Sequence, residues 1–313
     1  MVTGSIDPPY VLVDVPGKGK GMVASRRLAQ GDLILMEPVF FGIERRDDEG
    51  QEEWEDRLNA GLSDRVASCT PEVAEEFWSL ADCFKQDPSD RSIPKDIMAT
   101  NGFIEDGVEG LFLLGSRFNH SCLPNMTRVW GAEPDKPLQS TLMFRAKWDI
   151  EQGEELTHFY IETRQSRAER QADLRDFRFS CCCPTCSLTG AALALSDTRR
   201  ERLLELYEED CETADGYLAN ALESVSLIND EFNGDPWLLH ISYNTAFTYA
   251  CRLGLLEDAA AYSEKQLLNQ ELSLGAGHPD ILADIERNAK ELLQAAEESE
   301  ESYSSSDSSD SDD

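Results

Sequence analysis

The tightest constraint on this chain is a run of cysteines, Cys181-Cys182-Cys183-Pro-Thr-Cys186. Cys181, Cys183 and Cys186 put three thiolates on one tight turn, close enough to chelate a single Zn2+. Three is one short of a closed tetrahedral site, so the fold has to bring a further donor to the turn. Cys182 lies between two ligands, is surplus to the set, and is expected to point away. The competing reading is a group of buried, inert cysteines, yet thiols at such short spacing rarely occur without a metal. A disulfide framework fits less well, because the nine cysteines are an odd number and three are consecutive. Met1 to Pro16 lacks the basic start and apolar block of a secretory leader, and no stretch approaches a membrane span in length. Nucleus or cytoplasm is the expected compartment, where thiols stay reduced and clustered cysteines bind metals.

Around that turn the chain changes character several times. Residues 9–43 read as strands: Tyr10-Val-Leu-Val-Asp-Val15 ends at Pro16-Gly-Lys-Gly-Lys-Gly21, and Asp32-Leu-Ile-Leu-Met36 follows the Gln30-Gly31 turn. Residues 44–108 read as a helical insert. It carries Trp54, Leu58 and Leu62 at helical spacing, then a helix opened by Pro71 with Val73, Ala74, Phe77, Trp78 and Ala81 on one face. Short apolar runs return over 109–162, notably Ser140–Arg145 and Glu155–Tyr160, and 163–190 holds the cysteines. Residues 197–296 read as helices, with Leu203, Leu206 and Tyr207 on one face, Leu218, Leu222 and Val225 on another, and Asp235-Pro236 as a cap. Tyr243, Ala246, Tyr249, Gly254, Ala259, Tyr262 and Leu267 resemble one tetratricopeptide helix pair, which cannot bury its faces alone. The segment 297–313 has eight acids, no base and otherwise mostly serine, and is expected to be disordered.

Four motifs occur in a fixed order: Lys18-Gly-Lys-Gly21, Asn119-His-Ser-Cys122 followed by Leu-Pro-Asn125, Gly153-Glu-Glu-Leu-Thr157 with Tyr160, and Phe179-Ser-Cys181 leading into the cysteine turn. In that order they resemble the SET-domain lysine methyltransferases, in particular the SET-and-MYND branch, over roughly residues 9–190. The resemblance implies an α+β fold: a β-rich SET core with a helical insert, a zinc-bound post-SET segment and an all-α, tetratricopeptide-like C-terminal domain. It implies S-adenosylmethionine as methyl donor and one structural Zn2+, with Cys122 joining Cys181, Cys183 and Cys186. It also implies a cofactor site. The loop Lys18-Gly19-Lys20 would hold the cofactor's amino-acid end, Asn119 and His120 its amino-acid and adenine portions, Asn101 a further contact, and Phe179 the adenine face. Tyr160 would sit beside the cofactor and carry the reaction. One departure stands out. The branch has a zinc finger after its first strands, whereas residues 44–100 contain only Cys69 and Cys83 and no histidine, so that finger cannot form.

Each residue also has a plainer reading. A Gly-Lys alternation is most often a hairpin turn, and here it is not a P-loop, since no Ser or Thr follows Lys20. Asn119 and His120 follow an apolar stretch, so they need partners whatever their role. Phe179 suits core packing, and a strand tyrosine such as Tyr160 is ordinary. What favours chemistry at Tyr160 is the Gly153-Glu-Glu-Leu-Thr157 run before it. A methyl sulfonium is already activated, so only an in-line, neutral lysine amine is needed. Free lysine has a pKa of about 10.4, so an apolar channel must first favour loss of its proton. A hydroxyl and backbone carbonyls then orient the amine. Two other classes compete with this reading: a silent SET-fold scaffold that binds proteins, and a zinc hydrolase, which four thiolates disfavour because they leave no open position. The net charge of −33 repels nucleic acid and anionic membrane and favours a basic, Lys/Arg-rich protein substrate. A monomer is expected.

Overall fold

The computed structural model describes residues 7–46, 48–85, 93–105, 107–133 and 136–306, which form two units. The first runs to Ile161 and takes in Ala168–Cys186; the second comprises Glu162–Arg167 and the chain from Ser187 onward.

The first unit is α+β. Its strands are β1 (Tyr10–Val15), β2 (Gly19–Ala24), β3 (Leu33–Pro38) and β4 (Phe41–Glu44). The insert then supplies helices α1 (Gln51–Ala67), α2 (Pro71–Trp78) and α3 (Ile93–Asn101). Strands β5 (Phe103–Glu105), β6 (Val108–Leu111), β7 (Asn119–His120), β8 (Met126–Glu133), β9 (Lys136–Ala146) and β10 (Glu155–His158) complete the sheets, and helix α4 (Arg167–Asp173) begins at the boundary with the second unit. Among the described residues these strands form three small sheets, ordered β1-β2-β10-β7, β3-β9-β8 and β4-β6-β5. β9 turns Leu142, Phe144 and Ala146 inward at period two, onto a core with Met22, Leu28, Phe118 and Leu156. On α1, Trp54, Leu58, Leu62 and Val66 repeat every fourth residue and meet Phe77 of α2 in a second core. Glu52 and Glu53 in the first turn of α1 and Arg65 in its last suit the helix dipole.

The decisive pairing is short. β10 runs antiparallel to β2, with Leu156 opposite Met22, and parallel to β7, with Thr157 opposite Asn119 and His158 opposite His120. Two motifs distant in sequence are thereby fixed side by side.

The second unit is helical: α5 (Gly190–Glu208), α6 (Ala214–Glu231), α7 (Pro236–Arg252), α8 (Leu256–Leu274) and α9 (Pro279–Ser306). The Asp235 carboxylate accepts from Trp237 N at 3.0 Å and Pro236 opens α7, as the cap pattern requires. Its interior is unusually polar. Asn288 donates to Ser263 Oγ and Gln266 Oε1, and the amides of Gln266 and Gln270 both donate to Asp284. Among the described residues no helix is long and apolar enough to cross a membrane.

Several expectations need correction. Lys20 and Gly21 lie on β2, not in a loop, because the hairpin turn closes earlier, with Val15 already paired to Gly19. The insert ends in β5 and the start of β6, which pair into a sheet with β4. Trp78 is half exposed and Ala81 lies past the end of α2, so only Val73, Ala74 and Phe77 turn inward there. On α6 the buried line is Ala221, Ser224 and Ile228, and Leu222 faces outward. α9 continues through 297–306, where glutamates are good helix formers; 307–313 lies outside the described residues.

Candidate functional site

Cys122 follows β7 directly, and Cys181, Cys183 and Cys186 follow a 3-10 turn at Leu174–Phe177. Their four sulfurs all lie within 4.8 Å of one another. Cys122 Sγ is 3.4 Å from Cys186 Sγ and 4.0 Å from Cys181 Sγ. A tetrahedral Zn2+ with bonds of about 2.3 Å spaces its sulfurs by about 3.8 Å, so the set can hold such an ion. All nine cysteines are free thiols, which leaves the four sulfurs available as ligands. Hydrogen bonds among the four thiols hold Cys183 and Cys186 below the usual range and Cys122 and Cys181 above it, so the four sulfurs share protons that a bound metal would displace. Two residues of α4 support the turn. Gln171 grips Cys181 through both of its backbone groups, at 2.8 and 3.1 Å. Arg170, fully buried, sets its guanidinium against the sulfurs of Cys122 and Cys186, where it balances negative charge. Cys182 is exposed and takes no part in the cluster.

Beside this cluster lies a cavity of about 420 Å³, within the range of small-molecule sites. Lys18, Gly19, Lys20, Asn101, Asn119, His120, Tyr160 and Phe179 all line it. Its wall near β2 depends on two glycines. Gly19 adopts φ +77°, and a Cβ on Gly21 would meet Asn119 Nδ2 at 2.5 Å. That close approach lets Asn119 Nδ2 donate to the Lys20 carbonyl at 3.1 Å and to Glu155 Oε1 at 2.9 Å. The other Glu155 oxygen accepts from Lys18 Nζ at 2.6 Å. The Lys20 ammonium instead pairs with Asp14 at 2.8 Å, well exposed, so Lys20 serves the cavity through its backbone.

His120 ties the cavity to the cysteines. Its Nδ1 accepts from Tyr160 N at 3.1 Å, which leaves Nε2 to donate to Cys122 Sγ 3.3 Å away. Burial lowers its pKa to about 4, so the ring is neutral. The Tyr160 hydroxyl donates to the Phe118 carbonyl at 2.8 Å, and burial, with Glu155 nearby, pushes its pKa well above the ordinary phenol value. It is a fixed, protonated donor. Phe177 packs against the Tyr160 ring at 5.3 Å, and Phe179 meets it edge-on at 6.4 Å. Phe179 is 37% exposed, too open for a core aromatic, and offers a bare ring to the cavity. Asn101 spends both amide hydrogens on the carbonyls of Ala81 and Ile97, at 2.6 and 2.7 Å, and so shapes the wall more than it reaches out.

Several residues that line or brace the cavity carry no sequence signal for a role there. Glu155 belongs to a motif, but nothing local shows that it pairs with Lys18, 137 positions away. Arg117 clamps the end of α2 by donating to the carbonyls of Ser79 and Glu76 at 2.8 and 3.0 Å, which brings Ser79, Ala81, Asp82 and Cys83 of the insert to the rim. Phe177 is legible only once its 3-10 turn is known.

Residues 19–161 match the SET domain family. Over 197 residues the chain is 31% identical to the histone-lysine N-methyltransferase set5 of Schizosaccharomyces pombe, covering 62% of this chain and 56% of that protein. The protein-lysine N-trimethyltransferase SMYD5 of Gallus gallus is 35% identical over 137 residues, 42% of this chain and 30% of its own length. The histone-lysine N-methyltransferase SMYD3 of Homo sapiens is 29% identical over 185 residues, 56% of this chain and 41% of its own length. The chain thus carries a SET domain with SET and SET-and-MYND lysine methyltransferase homologues, and its cysteine-poor insert is consistent with a SET-and-MYND-like protein that lacks the MYND finger. It spans about half the length, or less, of these curated relatives.

Proposed function

We propose that this protein is an S-adenosylmethionine-dependent protein-lysine N-methyltransferase with one structural Zn2+. A single observation carries the reading. One cavity is lined by Lys18, Gly19, Lys20, Asn119, His120, Phe179 and Tyr160, and the Tyr160 hydroxyl is pinned to the Phe118 carbonyl.

Lys18 lines the cavity and suits the carboxylate of an amino-acid zwitterion, while Glu155, behind the wall, holds the Lys18 ammonium at 2.6 Å. Asn119 holds Glu155 in place from the other side. Phe179 offers a stacking face for a purine, and Phe177 closes the wall behind Tyr160. The sulfonium supplies an activated methyl group when bound. The protein's part is to bring a neutral lysine amine in line with it and to exclude water. The Tyr160 hydroxyl and the Phe118 carbonyl are fixed dipoles at the reacting centre, and they cost no reorganisation as charge shifts towards the amine. Cys122, Cys181, Cys183 and Cys186 would hold the zinc and, through His120, set the backbone of Tyr160.

The substrate of this reading is a Lys/Arg-rich protein segment, drawn by a net charge of −33 that equally repels nucleic acid and anionic membrane. The protein acts as a monomer in nucleus or cytoplasm, and its five C-terminal helices form a tetratricopeptide-like domain. The test is transfer of labelled methyl groups from S-adenosylmethionine to lysines of a basic protein extract, with mass spectrometry of the products. Cofactor binding without any transfer would favour the silent scaffold.

A further inference from the structure

A further cavity, of about 580 Å³, lies between β4 and α1 and shares no lining residue with the one beside Tyr160. Its origin is a gap in a repeated contact. Positions 57, 61 and 65 of α1 are one turn apart on a single face. Arg57 donates to the Glu44 carbonyl and Arg65 to the Phe40 carbonyl, each at 2.8 Å. Carbonyls of alternate strand residues point to the same side, so that of Gly42 faces α1 as that of Glu44 does. Across the cavity stands Gly61, which has no side chain to reach it. Two glycines thus floor the cavity, with a backbone acceptor that no arginine of α1 caps.

The walls are basic in a chain that is not. The guanidiniums of Arg45 and Arg57 lie 5.8 and 5.1 Å from the ring centre of Trp54, whose burial fixes both beside the cavity. Glu49 neutralises Arg57 through two bonds of 2.6 Å. Arg45 donates to the neutral amide oxygen of Gln51 at 3.0 Å, and among the described residues Arg46 makes no ion pair. Both side chains are exposed. Glu44 at the lip and Glu109 on β6 temper the charge, but among the described residues neither bonds Arg45 or Arg46. Two cations with no acid bound to them therefore face one cavity. Sixty-one acids against 28 bases give a surface that repels acidic segments in general, so such a segment gathers where arginines are concentrated.

We propose that this cavity is a docking site for an acidic, extended peptide segment of a partner protein. The segment's carboxylate or phosphate groups pair with Arg45 and Arg46, and one of its backbone N–H groups donates to the Gly42 carbonyl. Guanidinium forks suit either acid, since both offer paired oxygens. A peptide supplies acid and N–H together, at the spacing of neighbouring strand residues, which a free anion does not. The inference goes beyond the methyltransferase reading and does not rest on it. It gives the protein a way to recruit partners through a segment opposite in charge to a Lys/Arg-rich substrate.

The test is fluorescence anisotropy of short labelled peptides with the full chain at physiological ionic strength. One peptide is rich in Asp and Glu, one carries phosphoserines among the acids, and one has Asn and Gln throughout. The acidic peptides should bind and the neutral one should not, and the tighter of the two names the preferred acid. In the double variant Arg45→Gln, Arg46→Gln the affinity should fall about tenfold or more, the worth of one charge-assisted bond. Its unfolding temperature and calorimetric affinity for S-adenosylmethionine should match the parent's, because both side chains are exposed and lie outside the cavity beside Tyr160. Hydrogen exchange should slow on binding at residues 41–46. No binding of either acidic peptide, equal binding of the neutral one, parental affinity in the double variant, or protection only elsewhere would each overturn the proposal. Inorganic phosphate is the last probe. It should displace the peptide only far above the peptide's Kd, and displacement at equal concentration would overturn the peptide assignment in favour of a small-anion site.

Discussion

Gly21 is where a single methyl group should do the most damage to the cavity wall. An alanine Cβ there would lie 2.5 Å from Asn119 Nδ2 and 2.7 Å from Val15 Cγ2, against a comfortable separation of about 3.5 Å. The backbone φ is not at issue. One side must retreat by about 1 Å. If Asn119 moves, its bonds to the Lys20 carbonyl at 3.1 Å and to Glu155 at 2.9 Å both open. Two such bonds, one to a carboxylate, are worth about 2–4 kcal/mol, and water reaching this half-buried site recovers about half. If β2 moves instead, overpacking costs about 1–3 kcal/mol. Both routes predict that Gly21→Ala loses about 1–3 kcal/mol in denaturant unfolding. S-adenosylmethionine binding should weaken about tenfold or more by calorimetry, because the Lys18–Glu155 pair loses its brace. Zinc content should not change. A variant within about 0.5 kcal/mol of the parent, with unaltered affinity, would refute the close packing of β2 on Asn119 as the basis of this wall.

Elemental analysis should find one zinc per chain, lost in Cys183→Ser, and chelation should raise hydrogen exchange first around Cys181–Cys186; a Cys183→Ser protein with full metal content would contradict this. Glu49 is held down to about 2, first by its hydrogen bonds from Arg57. Because the folded pKa lies below the unfolded value of about 4.3, its contribution is present above that value and lost as pH falls towards 2. Glu49→Gln should therefore flatten the acid limb of the stability profile in that window, and an unchanged slope would count against the pair. In the helical unit, Arg200 is fully buried 2.6 Å from Glu231, and its guanidinium also caps the Thr163 carbonyl. Arg200→Met alone should cost about 3–5 kcal/mol by leaving the buried Glu231 charge uncompensated, with only the Ser196 hydroxyl still donating to it, while adding Glu231→Leu should restore much of it; equal single and double variants would remove the ion pair from the account.

What the sequence made legible, and what it hid, follows from the range of each interaction. The cysteine turn could be read directly, because Cys181, Cys183 and Cys186 are neighbours by covalent spacing. The helix α1 was legible because Trp54, Leu58 and Leu62 repeat often enough to show their period. β5, with three residues, is too short to show any period, and its pairing with β6 decides it. The two lysines of the first turn look alike in sequence. Only the fold separates them, sending Lys18 to Glu155 and Lys20 to Asp14. The outward turn of Leu222 was hidden for the same reason, since α6 has two apolar lines and packing chooses between them.

The central claim is that Tyr160 orients a lysine amine for methylation. Its most direct test compares the parent with Tyr160→Phe under one assay, labelled methyl transfer to a validated lysine substrate, alongside calorimetric cofactor binding and zinc content. The substitution removes the hydroxyl that donates to the Phe118 carbonyl and leaves the ring packed against Phe177. Stability should fall by about 1 kcal/mol, the worth of one buried hydrogen bond. Turnover should fall by about two to three orders of magnitude, corresponding to about 3–4 kcal/mol at the reacting centre, with cofactor affinity and zinc retained. A folded, zinc-loaded Tyr160→Phe protein that methylates at close to the parental rate would contradict the account.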